Sequence, residues 1–319
     1  MSPEKVCLYF ADVCRDDTPM AGGKGANLGD MAQAGLPVPP GFVICAPAYR
    51  RVVEGCGLER EIAAILSTLD RNDTRQLQEA ERRIRSLFVD LPIDGALQAE
   101  ILEKYRALGS GTRVAVRSSA TAEDMAGASF AGQQETVLNV VGEEALLDAI
   151  RRCWSSLYTS QAIFYRRERG FKDAQVSMAV VVQKMVNSEK SGVTFTVDPV
   201  LRNHYEMVIE AVWGQGEGIV SGAITPDHYK VDRETYEVVY EYVARKEFMF
   251  VQNGAGGIVR VDVPPEKATA RVLTDDEIRR LVDLGNRVEA HFGSPQDIEW
   301  GIEGGEIYLL QSRPITVLK

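Results

Sequence analysis

Histidines, paired cysteines and long apolar runs are scarce or absent in this chain of 319 residues. Its three histidines (His204, His228 and His291) have no neighbouring Cys or Ser pattern that would pair a nucleophile with a base. Its five cysteines include no Cys-x-x-Cys pair, so we expect reduced thiols rather than a zinc or redox site. The N-terminus lacks a secretion signal, and no apolar stretch reaches membrane-spanning length. These absences favour a cytoplasmic protein without a membrane partner.

An excess of positive charge is also missing. The chain carries 36 Lys and Arg residues against 46 Asp and Glu residues, which gives a formal net charge of −10. Such a balance does not favour binding to nucleic acid or to anionic lipid. An anionic nucleotide would therefore need a local cluster of cations or a metal ion.

Two glycine-rich segments are candidates for contact with a nucleotide. Gly22-Gly23-Lys24-Gly25-Ala26-Asn27 opens a predicted helix, where backbone amides and a lysine favour phosphate. It is not a Walker A motif, because no Ser or Thr follows Lys24, and a flexible turn with a solvated lysine is the alternative. Gly214-x-Gly216-x-Gly218 lacks the last glycine of a dinucleotide fingerprint, since Ile219 stands there, which weakens a Rossmann interpretation.

Two polar loops follow a predicted buried strand at Val114–Val116. Arg117-Ser118-Ser119-Ala120-Thr121 combines an arginine with three hydroxyls and predicts an oxyanion cradle; an internal salt bridge of Arg117 is the alternative. Residues 129–136, Ser-Phe-Ala-Gly-Gln-Gln-Glu-Thr, predict either a loop that folds over a ligand or an ordinary hairpin connection.

The C-terminal hairpin carries the oxygen ligands that a magnesium nucleotide needs. Asp297 and Glu299 alternate on one strand face, and Gln311 and Arg313 share a face of the returning strand. A two-residue turn at Gly304-Gly305 would set Glu299 opposite Leu310 and turn Gln311 away. We predict a three-residue turn at residues 303–305, which brings all four polar side chains to one face. An exposed salt bridge to Arg313 is the alternative.

Hydrophobic periodicity predicts a mixed α+β chain with two lobes. Helices are predicted at residues 25–34, 59–69, 74–87, 93–108, 143–169 and 275–292, and strands at 114–116, 176–182, 192–196, 207–212, 236–245 and 257–263 before the terminal hairpin. We expect a helix-rich first lobe over residues 1–195 and a strand-rich second lobe over residues 196–319.

Taken together, these segments resemble the nucleotide-binding N-terminal domain of the phosphoenolpyruvate synthase and pyruvate phosphate dikinase family. The likeness is carried, in family order, by residues 22–28 (GGKGANL), 38–42 (VPPGF), 115–124 (AVRSSATAED), 129–133 (SFAGQ), 182–186 (VQKMV), 191–196 (SGVTFT) and 311–314 (QSRP). Each segment alone is modest, and the ordered set is specific.

The resemblance implies an ATP-grasp fold, in which two α+β lobes hold ATP between them, and it assigns roles to individual residues. It places Lys24 and Arg117 on the phosphates, Gly132 and Thr136 in a covering loop, Gln183 at the adenine end, Glu299 and Gln311 on Mg²⁺, and Arg313 on a phosphate. Asp297 and Glu217 are further candidates.

The resemblance also implies a reaction in which ATP yields AMP and phosphate. The β-phosphoryl group passes to a histidine on a swivelling domain and then to pyruvate, phenol or rifampin. No histidine here has the Thr-Ser-His setting of the family, so we expect the phosphohistidine and acceptor-binding domains to lie outside this chain. The compact region 176–184 favours the rifampin and phenol types. A regulatory nucleotide-binding module without transfer chemistry is the alternative function.

Overall fold

The protein is described by a computed structural model that covers residues 6–70, 73–121, 135–168, 177–254 and 257–315. The chain forms two compact units: Met1–Asp30 with Pro40–Met185, and Met31–Pro39 with Val186–Lys319. The second unit thus begins at Val186, whereas the sequence analysis places its boundary after residue 195. It also takes the short segment Met31–Pro39 from the first third of the chain. No helix among the described residues combines the length and apolarity needed to cross a membrane.

The first unit is built on a five-stranded antiparallel sheet in the order β1-β2-β5-β3-β4. Its strands are β1 (Cys7–Tyr9), β2 (Gly41–Ile44), β3 (Val114–Ala120), β4 (Thr136–Val140) and β5 (Met178–Lys184). β5 is central, and its residues 178–183 are all buried, so the apolar run of residues 178–182 fits a strand that is covered on both faces.

The helices of this unit pack mainly against one face of that sheet. They are α1 (Thr18–Gln33), α2 (Ala46–Gly55), α3 (Leu58–Ser67), α4 (Thr74–Ser86), α5 (Gly95–Ala107), α6 (Glu143–Ser155) and α7 (Ser160–Glu168). The helices predicted near residues 25–34, 59–69, 74–87 and 93–108 are confirmed, whereas α2 was not predicted. The core combines Phe42, Val116, Val180 and Val182 of the sheet with Trp154 of α6.

The single helix predicted over residues 143–169 is wrong in its continuity. α6 ends at Ser155, a 3₁₀ turn occupies Ser156–Tyr158, and α7 begins at Ser160. The Ser155 and Ser156 hydroxyls donate to the carbonyls of Arg152 (2.8 Å) and Cys153 (2.7 Å). Such local side-chain bonds compete with the helical ladder. The Thr159 hydroxyl then accepts from the Ala162 amide and starts the next helix.

The second unit is built on a six-stranded antiparallel sheet in the order β13-β12-β6-β7-β8-β9. Its strands are β6 (Lys190–Phe195), β7 (Glu206–Trp213), β8 (Asp227–Asp232), β9 (Val238–Tyr242), β12 (Gln296–Glu303) and β13 (Glu306–Pro314). A separate hairpin is formed by β10 (Phe248–Gln252) and β11 (Ile258–Asp262). The helices of this unit are α8 (Glu217–Val220), α9 (Pro265–Ala268) and α10 (Asp275–Phe292). The predicted bounds of α10 are confirmed, and β8 was not predicted.

α10 covers one face of the six-stranded sheet, and the candidate site residues of β12 lie on the opposite face. A capping box of Thr274 and Glu277 begins the helix. Gly285 of α10 lies so close to Met207 of β7 that a Cβ would stand 2.9 Å from its sulfur atom. Trp300 of β12 points to the same buried side. Because side chains alternate along a strand, Asp297 and Glu299 point to the opposite face.

Candidate functional site

The first unit brings four predicted site residues to one face of its sheet. Arg117 of β3 lies opposite Thr136 of β4 and opposite Val181 of β5. Gln183 follows Val181 by two residues, so its side chain leaves the same face. This is the face opposite to the helix-packed core, and the glycine-rich loop of Lys24 packs against it as described next.

The glycine-rich loop is fastened to the end of β3 by Ser119. The Ser119 hydroxyl donates to the Ala21 carbonyl (3.0 Å) and accepts from the Gly25 amide (3.2 Å). Gly22 interrupts α1 with a φ of 68°, and a Cβ there would lie 2.3 Å from the Ser119 hydroxyl oxygen and 2.4 Å from its carbonyl oxygen. Only glycine therefore suits position 22, both for its conformation and for this close approach.

Lys24 is held beside the strand that carries Arg117. Its ammonium group lies 3.3 Å from the Ser118 carbonyl oxygen, one residue after Arg117. Both cations are partly buried. The hydrogen bonds of Ser119 to the glycine-rich loop therefore hold Lys24 near the strand that carries Arg117, on the same face of the sheet. Two such cations can neutralise an anionic ligand.

The expected cradle of three hydroxyls is wrong, because the structure uses those hydroxyls internally. Ser118 and Ser119 are fully buried. The Ser118 hydroxyl donates to the Glu135 carbonyl (3.2 Å), and the Thr121 hydroxyl donates to the Ser177 carbonyl (3.2 Å). Together with the bond from Ser119 to the glycine-rich loop, these contacts leave Arg117 as the candidate anion-binding group of the segment.

Gln183 is a buried side chain with spare hydrogen-bonding capacity. It is only 2% exposed, and its amide nitrogen has no hydrogen-bond partner among the described residues. A buried donor without a partner costs about 1–3 kcal/mol, so such groups in native proteins call for an explanation. A ligand acceptor would satisfy it. Gly132, the other predicted residue of this region, lies outside the described residues.

Glu135 supports this site and was not singled out by the sequence. Its backbone carbonyl accepts from the Ser118 amide (3.0 Å), which aligns the start of β4 with β3. Its carboxylate forms ion pairs with Arg152 (2.6 Å) and Arg85 (3.4 Å). The three residues lie far apart in the chain, and no local pattern connects them.

In the second unit, the hairpin register differs from the prediction although its outcome is the same. Glu303 pairs with Glu306, so the turn is the two-residue Gly304-Gly305, with φ angles of 59° and 80°. The predicted three-residue turn is therefore wrong. A one-residue bulge then shifts the register, so that Trp300 pairs with Leu309 and Glu299 pairs with Gln311. Asp297 pairs with Arg313 on the same face.

Asp297 and Arg313 form the best-defined contact of this second group. The Nε and a terminal nitrogen of Arg313 both lie 2.7 Å from one oxygen of Asp297. Asp297 is 11% exposed and Arg313 58% exposed in their side chains. Burial raises the pKa of Asp297 above its ordinary value of 3.8; Arg313 opposes the rise, and Glu299 and Glu210 add to it.

Glu210 is a further acidic residue of this face that the sequence analysis missed. Val193 of β6 lies between Glu299 and Glu210 in one row across the sheet, so all three side chains point to the same side. The alternation of side chains along β7 indicates that Glu210 points away from the buried face. Its neighbours in the row, Val193 and Glu299, are known only from the pairing of the strands. Glu217, in contrast, is exposed in the first turn of the short helix α8.

The donor chemistry of this face fits a hard cation. Carboxylate and amide oxygens are the ligands that Mg²⁺ takes, and Glu299 and Gln311 supply one of each from directly paired positions. Within the described part of the chain, no group of three or more His, Cys, Asp or Glu side chains is gathered closely enough to hold a metal ion by itself. Mg²⁺ commonly keeps water or phosphate oxygens in its coordination sphere, so two protein ligands are compatible with it.

Comparison with known proteins gives a consistent result along the whole chain. Residues 18–319 match the family described as pyruvate phosphate dikinase, AMP/ATP-binding domain. The chain is 50% identical over 316 residues to a probable phosphoenolpyruvate synthase of Archaeoglobus fulgidus, with 98% of this chain and 42% of that protein covered. It is 42% identical over 356 residues to the phosphoenolpyruvate synthase of Pyrococcus furiosus, with 98% and 44% covered.

A third relative is the probable phosphoenolpyruvate synthase of Methanocaldococcus jannaschii, 48% identical over 320 residues, with 99% of this chain and 27% of that protein covered. The chain thus spans less than half the length of these relatives. Among solved structures, a D-alanine–D-alanine ligase from Helicobacter pylori aligns over 76% of this chain and 54% of its own, at a TM-score of 0.30 and 10% identity. No fold assignment follows from so weak a likeness.

Proposed function

The chain belongs to the family of pyruvate phosphate dikinase AMP/ATP-binding domains, and on this premise we propose that it is the ATP-binding part of a dikinase-type phosphotransferase. In the proposed reaction, ATP yields AMP and phosphate, and the β-phosphoryl group passes to a histidine on a separate domain or subunit. The relatives' name, phosphoenolpyruvate synthase, favours pyruvate as the final acceptor over the rifampin and phenol types. The ATP-grasp fold is part of the same proposal.

The observation that carries this proposal is the polar face of the first unit. The Lys24 ammonium group contacts the carbonyl of Ser118, the residue after Arg117, and cations of this kind neutralise the charge of phosphate groups. Gln183 offers a buried amide donor that has no partner among the described residues, which suits the ring nitrogens of an adenine base. Thr136, opposite Arg117, would lie at the phosphate end.

The second unit supports a magnesium-bound form of the nucleotide. Glu299 and Gln311 would hold Mg²⁺, with Asp297 behind them and Arg313 directed to a phosphate. Bound Mg²⁺ neutralises phosphate oxygens in reactions of this class. Asp297 orients the Arg313 guanidinium through two of its nitrogens, and a guanidinium held in this way suits a phosphate oxygen as a ligand.

The proposed partners are a phosphohistidine-bearing domain and an acceptor-binding domain. Among the chain's own histidines, His228 lies 3.4 Å from Glu210 on the open face of the second sheet, and none of the three stands in the sequence setting that the family uses. Lys24 and Arg117 would be the main groups near the phosphates. This chain would therefore contribute the positioning of ATP and the stabilisation of charge on its phosphates.

A two-stage experiment tests this function. Calorimetric titration should show that the chain binds ATP with Mg²⁺ more tightly than AMP, because phosphate ligands outnumber those for the base. Adding a separately expressed phosphohistidine domain of a relative should then release AMP from ATP, and Lys24→Ala or Arg117→Ala should abolish the release. Equal affinity for ATP and AMP, or labelling of this chain on His204, His228 or His291 by ATP, would refute the proposal.

A further inference from the structure

Glu135 connects two helices of the first unit to the end of β3. Its carboxylate lies 2.6 Å from Arg152 of α6 and 3.4 Å from Arg85 of α4. The Glu135 side chain is only 19% exposed, so the carboxylate is largely shielded from solvent. Partly buried ion pairs are screened by salt less than exposed ones. The two helices therefore hold the carboxylate of the residue that directly precedes β4.

Arg85 extends this connection to a third helix. Its guanidinium also lies 3.4 Å from Glu81, one turn earlier in α4. Glu81 accepts from the amide (2.9 Å) and the hydroxyl (2.6 Å) of Ser160, the first residue of α7. Burial alone would raise the pKa of Glu81, but the bonds from Ser160 and Arg85 lower it below its ordinary value of 4.5. Glu135 is thus held by a network of charged side chains rather than by one flexible pair.

The backbone carbonyl of Glu135 carries this support to β3. It accepts from the Ser118 amide (3.0 Å) and from the Ser118 hydroxyl (3.2 Å), and the Cys153 thiol of α6 lies 3.9 Å from it. Ser118 is fully buried. Residues that share one hydrogen-bond network are energetically coupled. A displacement of Glu135 would therefore displace Ser118 as well.

Ser118 in turn holds the ammonium group of Lys24. Its carbonyl oxygen lies 3.3 Å from the Lys24 Nζ atom. The amide and the carbonyl of one residue in an antiparallel strand point to the same edge. Lys24 therefore contacts β3 on the edge where Glu135 joins it. The contacts run without interruption from the helices through Glu135 and Ser118 to Lys24.

We propose that Glu135 is a positioning residue that holds Lys24 in place for the phosphates of ATP, an inference that rests on the function proposed above. Glu135 acts through Ser118 and does not itself touch the nucleotide. A nearby carboxylate would by its charge alone repel an anionic nucleotide. Removing that charge without any effect on position should therefore strengthen ATP binding, and it would also release Arg85 and Arg152. Loss of positioning should weaken ATP binding, so the two effects have opposite signs.

Calorimetric titration of the full chain with ATP and with AMP, both in the presence of Mg²⁺, tests the sign. Glu135→Gln keeps the shape of the side chain and removes its charge. We expect its ATP affinity to fall about three- to tenfold, the range for residues coupled through one network, and its AMP affinity to change less than about twofold. Unchanged or tighter ATP binding in this variant would overturn the proposal. Glu143→Gln is the matched control, because the Glu143–Arg106 ion pair is equally short (2.6 Å), and it should bind both nucleotides as the wild type does.

A double-mutant cycle with Lys24→Ala separates positioning from a general loss of structure. If Glu135 acts through Lys24, Glu135→Gln should not weaken ATP binding further in the Lys24→Ala background. A further loss of the same size in that background would show that Glu135 only supports the fold, and the proposal would fail. An equal loss of ATP and AMP affinity in the single variant would have the same meaning.

Ser118→Ala provides a second variant that leaves the charge unchanged and removes one bond to the Glu135 carbonyl. Its ATP affinity should fall about two- to tenfold, again without a matching loss for AMP. If the wild type prefers ATP over AMP and both Glu135→Gln and Ser118→Ala keep that preference in full, this inference is refuted and the proposed function stands. A wild type that binds ATP no more tightly than AMP would refute the proposed function, and this inference with it.

Discussion

Glu299 and Gln311 lie directly opposite each other across the β12–β13 hairpin, although the two-residue turn alone would place Leu310 opposite Glu299. A single bulge between the pairs Glu299–Gln311 and Trp300–Leu309 corrects the register by one residue. Trp300 stays buried on the α10 side, and the polar side chains stay on the other. The bulge therefore gathers the proposed magnesium ligands, and it leads to the first prediction.

Glu299→Gln should keep the fold but weaken nucleotide binding in the presence of Mg²⁺. The change removes one charged oxygen, and we expect a loss of about 1.5–3 kcal/mol, by analogy with hydrogen bonds to charged groups. Calorimetry with and without Mg²⁺ measures this difference. Glu306→Gln, at an exposed carboxylate on β13, serves as the control and should leave the affinity unchanged. If Glu299→Gln also binds normally with an unaltered melting temperature, Glu299 is not a metal ligand.

Gly22→Ala should destabilise the protein much more than Gly35→Ala. Both glycines have a φ near 68°, where an alanine costs about 1–2 kcal/mol. At Gly35 a Cβ meets nothing within 4 Å, whereas at Gly22 it would collide with the backbone of Ser119. We therefore expect a loss of about 1–2 kcal/mol for Gly35→Ala and of more than about 3 kcal/mol for Gly22→Ala, measured by denaturant unfolding.

The same pair of variants tests the role of the loop. Displacing the glycine-rich loop from Ser119 should move Lys24 away from Arg117, so ATP affinity should fall in Gly22→Ala even at temperatures where it is folded. Gly35→Ala should bind ATP as the wild type does. Equal ATP affinity in the two variants would mean that the hydrogen bonds of Ser119 to the loop do not position Lys24 for the nucleotide.

Gln183→Leu should separate the adenine end of the site from the phosphate end. The substitution removes a buried amide nitrogen that has no partner in the described part of the chain, so the melting temperature should stay the same or rise. Because ATP and AMP share the adenine base, both nucleotides should bind to Gln183→Leu roughly tenfold more weakly than to the wild type. Lys24→Ala should instead weaken ATP more than AMP. A Gln183→Leu protein with normal affinity for both nucleotides would show that the amide faces another group.

Asp297→Asn should raise the melting temperature at pH 7. Because the pKa of Asp297 is raised in the folded state, chiefly by burial, its ionised form costs folding free energy at every pH above the folded pKa. Asparagine removes that cost, and the exposed Arg313 can turn to solvent.

The difference in melting temperature between Asp297→Asn and the wild type should depend on pH. As the pH falls through the folded pKa toward the ordinary value of 3.8, wild-type Asp297 takes up its proton and the advantage of the variant should disappear. Melting curves of both proteins between pH 7 and pH 4 test this. An advantage that grows toward low pH, or a variant that is less stable at pH 7, would mean that the bond to Arg313 outweighs the burial.

Elements whose signals are local could be predicted from the sequence. The bounds of α10 follow from its apolar periodicity, from the Thr274–Glu277 capping box and from Gly293 in the left-handed conformation. α4 likewise begins where the Asp73 carboxylate accepts from two backbone amides. The break between α6 and α7 was missed, because the serine hydroxyls that end α6 are compatible with either a helix interior or its end.

The sequence by itself determined which residue types are available and in what order: a lysine among glycines, an arginine after an apolar strand, and alternating carboxylates near the C-terminus. Only the tertiary structure decided how they are used. Ser119 binds the glycine-rich loop instead of a ligand, Glu135 organises residues far along the chain, and the bulge in β13 pairs Gln311 with Glu299. The physical reason is that a hydroxyl, a carboxylate or a strand register takes its partner from tertiary packing, and the two side-chain contacts join residues 17 and 98 positions apart.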